Sequence, residues 1–360
     1  MSQRQHYFAA GPAALPDSVK QQILLDIREY ANSGLSILEL GHRSAEFAAI
    51  IEQARQLLRS LYAIPNEFQI LFMQAGATGQ FDALPLNLLS NKSLMTYVDS
   101  GHWSRRAAEF AQKYGRVQML SAVTENKTAD GVAVTASDRN DWQITADSAY
   151  LHVTPNETIE GIQLADVTDV AVPVVADMTS CLLMRPIDFE HYDLVYAGAQ
   201  KTLGIAGVTV VIVREDLLQQ AAEQTPYMLR YDIHAQQQSI VNTTPVFAVY
   251  CVLRMLQWLQ AQGGLAPMLA AANERSALLY QAIDAQPLTS NKIADELRSQ
   301  INVSFDIRDE QRLQRFLAQA EAQGLLGLAG HRKQGGVRAS MYNGTTLSAV
   351  EALADMIAAL

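Results

Sequence analysis

Cysteine is nearly absent from this chain: two in 360 residues, Cys181 and Cys251, each beside apolar neighbours. A disulfide framework is excluded, and two buried free thiols in a reducing compartment are expected. No Cys-x-x-Cys or His-Glu-x-x-His occurs and the seven histidines show no close ligand spacing, so no metal site is expected. Also lacking are an apolar run of membrane-spanning length and an apolar core within residues 1–16. Both absences lead to the expectation of a cytoplasmic protein with no membrane partner. Charged residues make up only 18%, and 37 acidic against 27 basic leave a net charge of −10. Such a field repels nucleic acid and anionic lipid, so an anionic small molecule must be gripped by local cations.

What is present is apolar: 49% of the residues are hydrophobic, enough for a large core and about two domains. Val19, Ile23, Ile27 and Tyr30 share one face of a helix opened by Pro16-Asp17, and Ser44 caps a second carrying Phe47, Ile51, Ala54, Leu58 and Leu61. Short apolar strands are predicted at 70–73, 94–98, 150–153, 174–176, 194–196 and 208–213, with a helix from about Gln80 after the first. Strands alternating with helices imply a mostly parallel sheet covered on both faces. Polar residues 123–141 read as loop. After Gln262-Gly263-Gly264 the order is helix, strand, helix, strand, helix, the pattern of a small α+β unit. The expected division is therefore a large α/β domain over 17–262 and a small one over 263–360, with 1–16 lying against the active site or the small domain.

Two charged residues end apolar runs: Asp177 after Val174-Val175-Ala176, and Lys201 in Tyr196-Ala197-Gly198-Ala199-Gln200-Lys201. Desolvation lowers the pKa of a lysine so placed, and a neutral amine condenses with a carbonyl. A carboxylate on a neighbouring strand end can hold a pyridine nitrogen protonated. The pair therefore points to pyridoxal phosphate. Gly76-Ala77-Thr78-Gly79, between a strand and a helix, offers backbone amides to a phosphate. Trp103 in Gly101-His102-Trp103 could stack on an aromatic ring, and Thr158 in Thr154-Pro155-Asn156-Glu157-Thr158 could meet a phenolate oxygen. Gly-His-Arg occurs twice, at 41–43 and 330–332, with Arg338 close behind the second. Arginine forks suit carboxylates and phosphates, so a substrate with two anionic groups is expected.

Phe8-Ala9-Ala10-Gly11-Pro12, Gly41-His42-Arg43-Ser44, Gly79-Gln80-Phe81, Pro155-Asn156-Glu157-Thr158-Ile159-Glu160-Gly161, the Lys201 segment, Asn242-Thr243 and Gly330-His331-Arg332 follow in this order. With them the chain resembles the phosphoserine aminotransferases, class V aminotransferases of PLP fold type I, over nearly its whole length. The resemblance implies Lys201 as the Schiff-base lysine and Asp177 as partner of the ring nitrogen. It implies Trp103 stacked on the ring and Thr158 at the phenolate oxygen, with Ala77, Thr78 and Gln200 on the cofactor phosphate. Asn242 and Thr243 would reach that phosphate from the second subunit of a homodimer with shared active sites. His42, Arg43, His331, Arg332 and Arg338 would bind the substrate's phosphate and carboxylates.

The implied reaction transfers an amino group from L-glutamate to 3-phosphohydroxypyruvate in serine biosynthesis. 4-Phosphohydroxy-L-threonine, of pyridoxine biosynthesis, is a second candidate substrate. Other readings are another class V enzyme, or a protein that binds PLP without turnover. A cysteine desulfurase is disfavoured because no cysteine follows Cys251. Two positions depart from the family: Ala10 stands where serine is frequent, and Thr78 where some members carry arginine.

Overall fold

The computed structural model describes residues 5–128 and 131–360; residues 1–4 of the expected N-terminal segment and 129–130 of the expected loop lie outside them. The chain opens with a two-residue strand, β1 (His6–Tyr7), followed by helices α1 (Asp17–Arg28) and α2 (Ala45–Tyr62). Strands and helices then alternate: β2 (Phe68–Met73), α3 (Gly76–Leu88), β3 (Leu94–Asp99), α4 (His102–Ala111), β4 (Arg116–Ser121). A hairpin of β5 (Val123–Thr128) and β6 (Gly131–Ala136) precedes β7 (Ser148–Val153) and the short pair β8 (Asn156–Glu157) and β9 (Ile162–Gln163). Next come β10 (Val174–Asp177), β11 (Leu194–Gly198), β12 (Thr209–Arg214), α5 (Tyr231–Gln236) and α6 (Val246–Ala261). The C-terminal part holds α7 (Leu265–Ala285), β13 (Thr289–Ser290), β14 (Asn302–Ile307), α8 (Glu310–Ala322), β15 (Leu325–Leu326), β16 (Val337–Ser340) and α9 (Leu347–Ala358).

Seven strands form the main sheet in the order β2-β12-β11-β10-β7-β3-β4. It is mostly parallel, and β12 alone runs against its neighbours β11 and β2. Alternate side chains feed two cores. Along β11, Val195 and Ala197 face the core shared with α1, α2 and α6, while Leu194 and Tyr196 face that of α3 and α4. Covering on both faces is what a near-continuous apolar strand requires. A third core, around Val303, Phe305, Phe316, Leu353 and Ile357, lies on the antiparallel sheet β13-β14-β16. Helix α7 serves two cores, giving Leu265, Met268 and Ala272 to the first and Leu279, Tyr280 and Ile283 to the third.

The structure departs from the sequence reading in several places. Helix α1 ends at Arg28, which leaves Tyr30 outside it. Helix α3 starts at Gly76 rather than near Gln80, so the small-residue turn is itself the first helical turn, entered through a left-handed Ala75. Residues 123–128 and 131–136, expected as loop, pair as the antiparallel strands β5 and β6, and Val134 is buried with its amide bonded to the Lys292 carbonyl. Strand β4 was not anticipated; as a sheet edge it keeps only Leu120 buried, too weak an apolar pattern to stand out.

Candidate active site

Strands β10 and β11 run parallel with Asp177 beside Tyr196, and the chain leaves β11 through a turn to Lys201. Both charged side chains enter one cavity of about 620 Å³, walled also by Ala10–Pro12, the first turn of α3, Trp103, Thr158, His331 and Arg338. The cavity lies at the C-terminal ends of the parallel strands, where open α/β sheets bind ligands.

Burial lowers the Lys201 pKa from its ordinary 10.5 to about 8, with the Asp177 and Glu157 charges partly restoring it. Burial raises that of Asp177, opposed by hydrogen bonds from Thr179, by Lys201 and by Tyr196. The Thr179 amide donates to the Asp177 carboxylate at 3.0 Å. Behind Asp177, the Tyr196 hydroxyl lies 2.9 Å from Nε2 of His152, which burial holds at a pKa of about 3 and hence neutral. Nδ1 of His152 has no partner, so a Tyr196 hydroxyl donating to Asp177 must accept from Nε2–H.

Trp103 is fixed on three sides. Its amide donates to Oε2 of Glu157 at 3.0 Å, its indole nitrogen donates to the Thr158 hydroxyl at 3.0 Å, and Lys201 Nζ stands 5.7 Å from its ring centre. Glu157 also accepts the Ser104 amide at 2.8 Å, and Glu160 accepts the His102 amide at 2.9 Å. A buried carboxylate, Glu157, and a half-buried one, Glu160, thus cap the start of α4, where a helix favours negative charge. Burial, then the Glu160 charge, raises the Glu157 pKa against the pull of these donors.

In the first turn of α3 the Gly79 amide makes the first backbone bond, to Ala75, which leaves the amides of Gly76, Ala77 and Thr78 free to face the cavity. A Cβ on Gly198 would come within 2.7 Å of the Gln200 side-chain oxygen and 3.2 Å of the Ala77 nitrogen, so glycine there lets Gln200 close on those amides.

These groups fit pyridoxal phosphate. Free amides with Thr78 and Gln200 suit its phosphate, the indole its ring, and the buried carboxylate its protonated nitrogen. Lys201 suits the aldehyde carbon. Arg338 donates to the Thr158 carbonyl at 3.2 Å while its Nε stays buried without a partner, a donor left over for an anion.

Of the residues singled out from the sequence, Ala77, Thr78, Trp103, Thr158, Asp177, Gln200, Lys201, His331 and Arg338 line the cavity. His42, Arg43, Asn242, Thr243 and Arg332 do not. Asn242 and Thr243 are exposed, and the Gln74 side chain donates to Asn242 Oδ1 (2.8 Å) and to the Thr243 carbonyl (3.3 Å). Arg43 and Arg332 are exposed and His42 half-buried. Sequence reasoning missed Thr179, Tyr196, His152, Glu157 and Glu160 as supports. Thr179 two residues after a strand-end Asp was the one legible signal, because that spacing favours an Asx turn.

The aminotransferase class-V family profile matches residues 6–353. The phosphoserine aminotransferase of Ectopseudomonas mendocina (strain ymp) is 44% identical over 359 residues, 99% of this chain and 98% of its own. That of Acinetobacter baylyi is 42% identical over 354 residues, 98% of each chain. Among solved structures, the phosphoserine aminotransferase from Bacillus circulans subsp. alkalophilus superposes with a TM-score of 0.92 at 36% identity, covering 98% of this chain and 97% of that one. The PLP-bound phosphoserine aminotransferase from Trichomonas vaginalis gives 0.92 at 34% identity, covering 98% and 99%.

Proposed function

Because the chain belongs to aminotransferase class V and, within it, to the phosphoserine aminotransferases, we propose that it moves an amino group from L-glutamate to 3-phosphohydroxypyruvate. The products are 2-oxoglutarate and O-phospho-L-serine, the amino transfer of serine biosynthesis. The protein is a PLP-dependent aminotransferase. The observation that carries the substrate reading is one cavity lined by a lysine whose pKa burial lowers to about 8, a buried carboxylate, His331 and Arg338.

When bound, pyridoxal phosphate supplies an electron sink for the substrate α-carbon and a carrier for the amino group. Asp177 keeps the ring nitrogen protonated, and the Tyr196–His152 relay steadies that carboxylate. Trp103 covers the ring, and Thr158 donates to the phenolate oxygen. Ala77, Thr78 and Gln200 hold the phosphate. Lys201 would hold the cofactor's aldehyde carbon through Nζ, the position a substrate amine would compete for. Burial lowers the pKa of Nζ, so its amine would be poised to move the proton at the substrate α-carbon. His331 and Arg338 grip the anionic groups of both substrates in turn, with Arg332 beside them.

His42, Arg43, Asn242 and Thr243 act in the cavity of a second copy. Their own cavity does not use them, and Leu24, Leu25 and Leu38 are 63%, 58% and 58% exposed. Large apolar side chains left open in this way fit a subunit interface. We place the enzyme in the cytoplasm, in keeping with its two buried free thiols. The test is 2-oxoglutarate release from L-glutamate with 3-phosphohydroxypyruvate or pyruvate as acceptor. The phosphorylated acceptor should win by roughly 10²-fold or more in kcat/KM; equal use of pyruvate removes phosphate recognition from the reading.

A further inference from the structure

His102, on the first turn of α4 and next to Trp103, faces the loop that leads into β16 and lines, with Lys333, a second cavity that meets the cofactor cavity at Ile159. Its ring lies 5.9 Å from that of His331 and edge-on to Trp103 at 5.1 Å, and its Nδ1 is 3.4 Å from Nζ of Lys333. The His102 backbone is held by Glu160, so the ring has little freedom to retreat. Arg332 and Arg338 flank the same loop. Among the described residues, Arg106, Arg332, Lys333 and Arg338 have no carboxylate within ion-pair distance. Glu109, Glu125 and Glu160 share the neighbourhood without pairing with these cations, so each keeps its donors open to an arriving anion. On the opposite wall Thr78 brings no cation.

We propose that His102 and Lys333 complete the subsite for the substrate's distal anionic group, adding to His331 and Arg338 the charge that separates a phosphate dianion from a carboxylate. The proposal rests on the phosphoserine reading above and names two residues that reading does not use. Lys333 supplies a fixed charge. His102 supplies a conditional one: burial, Lys333, His331 and Arg106 lower its pKa, and only Glu109 opposes them. Glu160 meets it through the backbone alone, and Lys292, Arg105 and Glu125 face it from the adjoining cavity. An arriving dianion reverses that balance, and His102 takes up a proton that a monoanionic γ-carboxylate would not draw in as strongly.

The experiment is calorimetric titration of the PLP-loaded enzyme at pH 7.5, in two buffers of different ionisation heat. The ligands are 3-phosphoglycerate, which can neither give nor accept an amino group, and glutarate. Wild-type enzyme should bind 3-phosphoglycerate with uptake of a fraction of a proton and glutarate with less. Lys333→Met should weaken 3-phosphoglycerate about tenfold and glutarate under threefold, and His102→Gln should remove the uptake difference. Both side chains reach solvent, so neither variant threatens folding. Equal weakening of both ligands, or unchanged binding and proton uptake, would overturn the assignment. Steady-state kinetics separate the two readings: wild-type KM for O-phospho-L-serine in both variants sinks this subsite alone. No transamination of phosphoserine by the wild-type enzyme sinks the proposed function instead.

Discussion

Lys201 pays in stability for its chemistry. A lysine whose pKa falls from 10.5 to about 8 on folding opposes folding wherever the unfolded chain holds it protonated. Between those values the unfolded state binds the extra proton, so stability rises with pH across that window. Lys201→Met should therefore stabilise the cofactor-free protein at pH 7 by about 2–3 kcal/mol, and the gain should fade from pH 8 and vanish above 10.5. Urea unfolding at a series of pH values measures this; a gain independent of pH would mean that packing, not charge, is responsible. The sequence showed Lys201 and Asp177 because each is a charge ending an apolar run, a local signal. It could not show Glu157, Glu160 or the His102–Lys333 contact. Their meaning arises where the start of α4 meets residues 154–161 and 331–334, which chain order keeps far apart.

The same contrast holds for whole elements. Helices with a clear apolar stripe and a cap, such as α2 behind Ser44, were legible almost to the residue, since the Ser44 hydroxyl accepts the Phe47 amide as its spacing promised. The start of α3 was missed by one turn because Gly76-Ala77-Thr78-Gly79 has no periodic apolar residue to declare a helix. That early start places three free amides on the cavity, so the misread turn is a functional part. Helix α4 depends on the bare backbone of Gly101, where a Cβ would lie 2.7 Å from Glu160 Oε2 and 2.9 Å from Glu157 Cδ. Gly101→Ala should cost about 1–3 kcal/mol as the two carboxylates are pushed off the helix start. Cofactor affinity should fall with it, because Trp103 moves too. Urea midpoints and PLP titration together check this; a lowered midpoint with unchanged PLP affinity would detach Trp103 from its cap.

For the whole molecule, the proposed sharing of active sites makes a quantitative demand. On that proposal Lys201→Ala and Arg43→Ala, each inactive alone, damage different halves of one site. Unfolded together and refolded, they should regain about a quarter of wild-type activity, because half the dimers are mixed and one of their two sites is intact. No recovery, with dimers confirmed by light scattering, would place Arg43 outside the partner's cavity. We further propose that the chain divides at 262/263, with α7 as a strut common to both parts through its two sets of core residues. The N-terminal residues ignore any such division. The Phe8 amide donates to the Leu326 carbonyl at 2.8 Å, the Ser340 amide to the Phe8 carbonyl at 2.9 Å, and the Ala13 amide to the Gln200 carbonyl at 2.9 Å. Phe8 thus finds its partners only after more than three hundred further residues have been added. During synthesis the cofactor cavity stays without its Ala10–Pro12 wall seated, and a chain stalled before Leu326 should emerge unable to retain PLP.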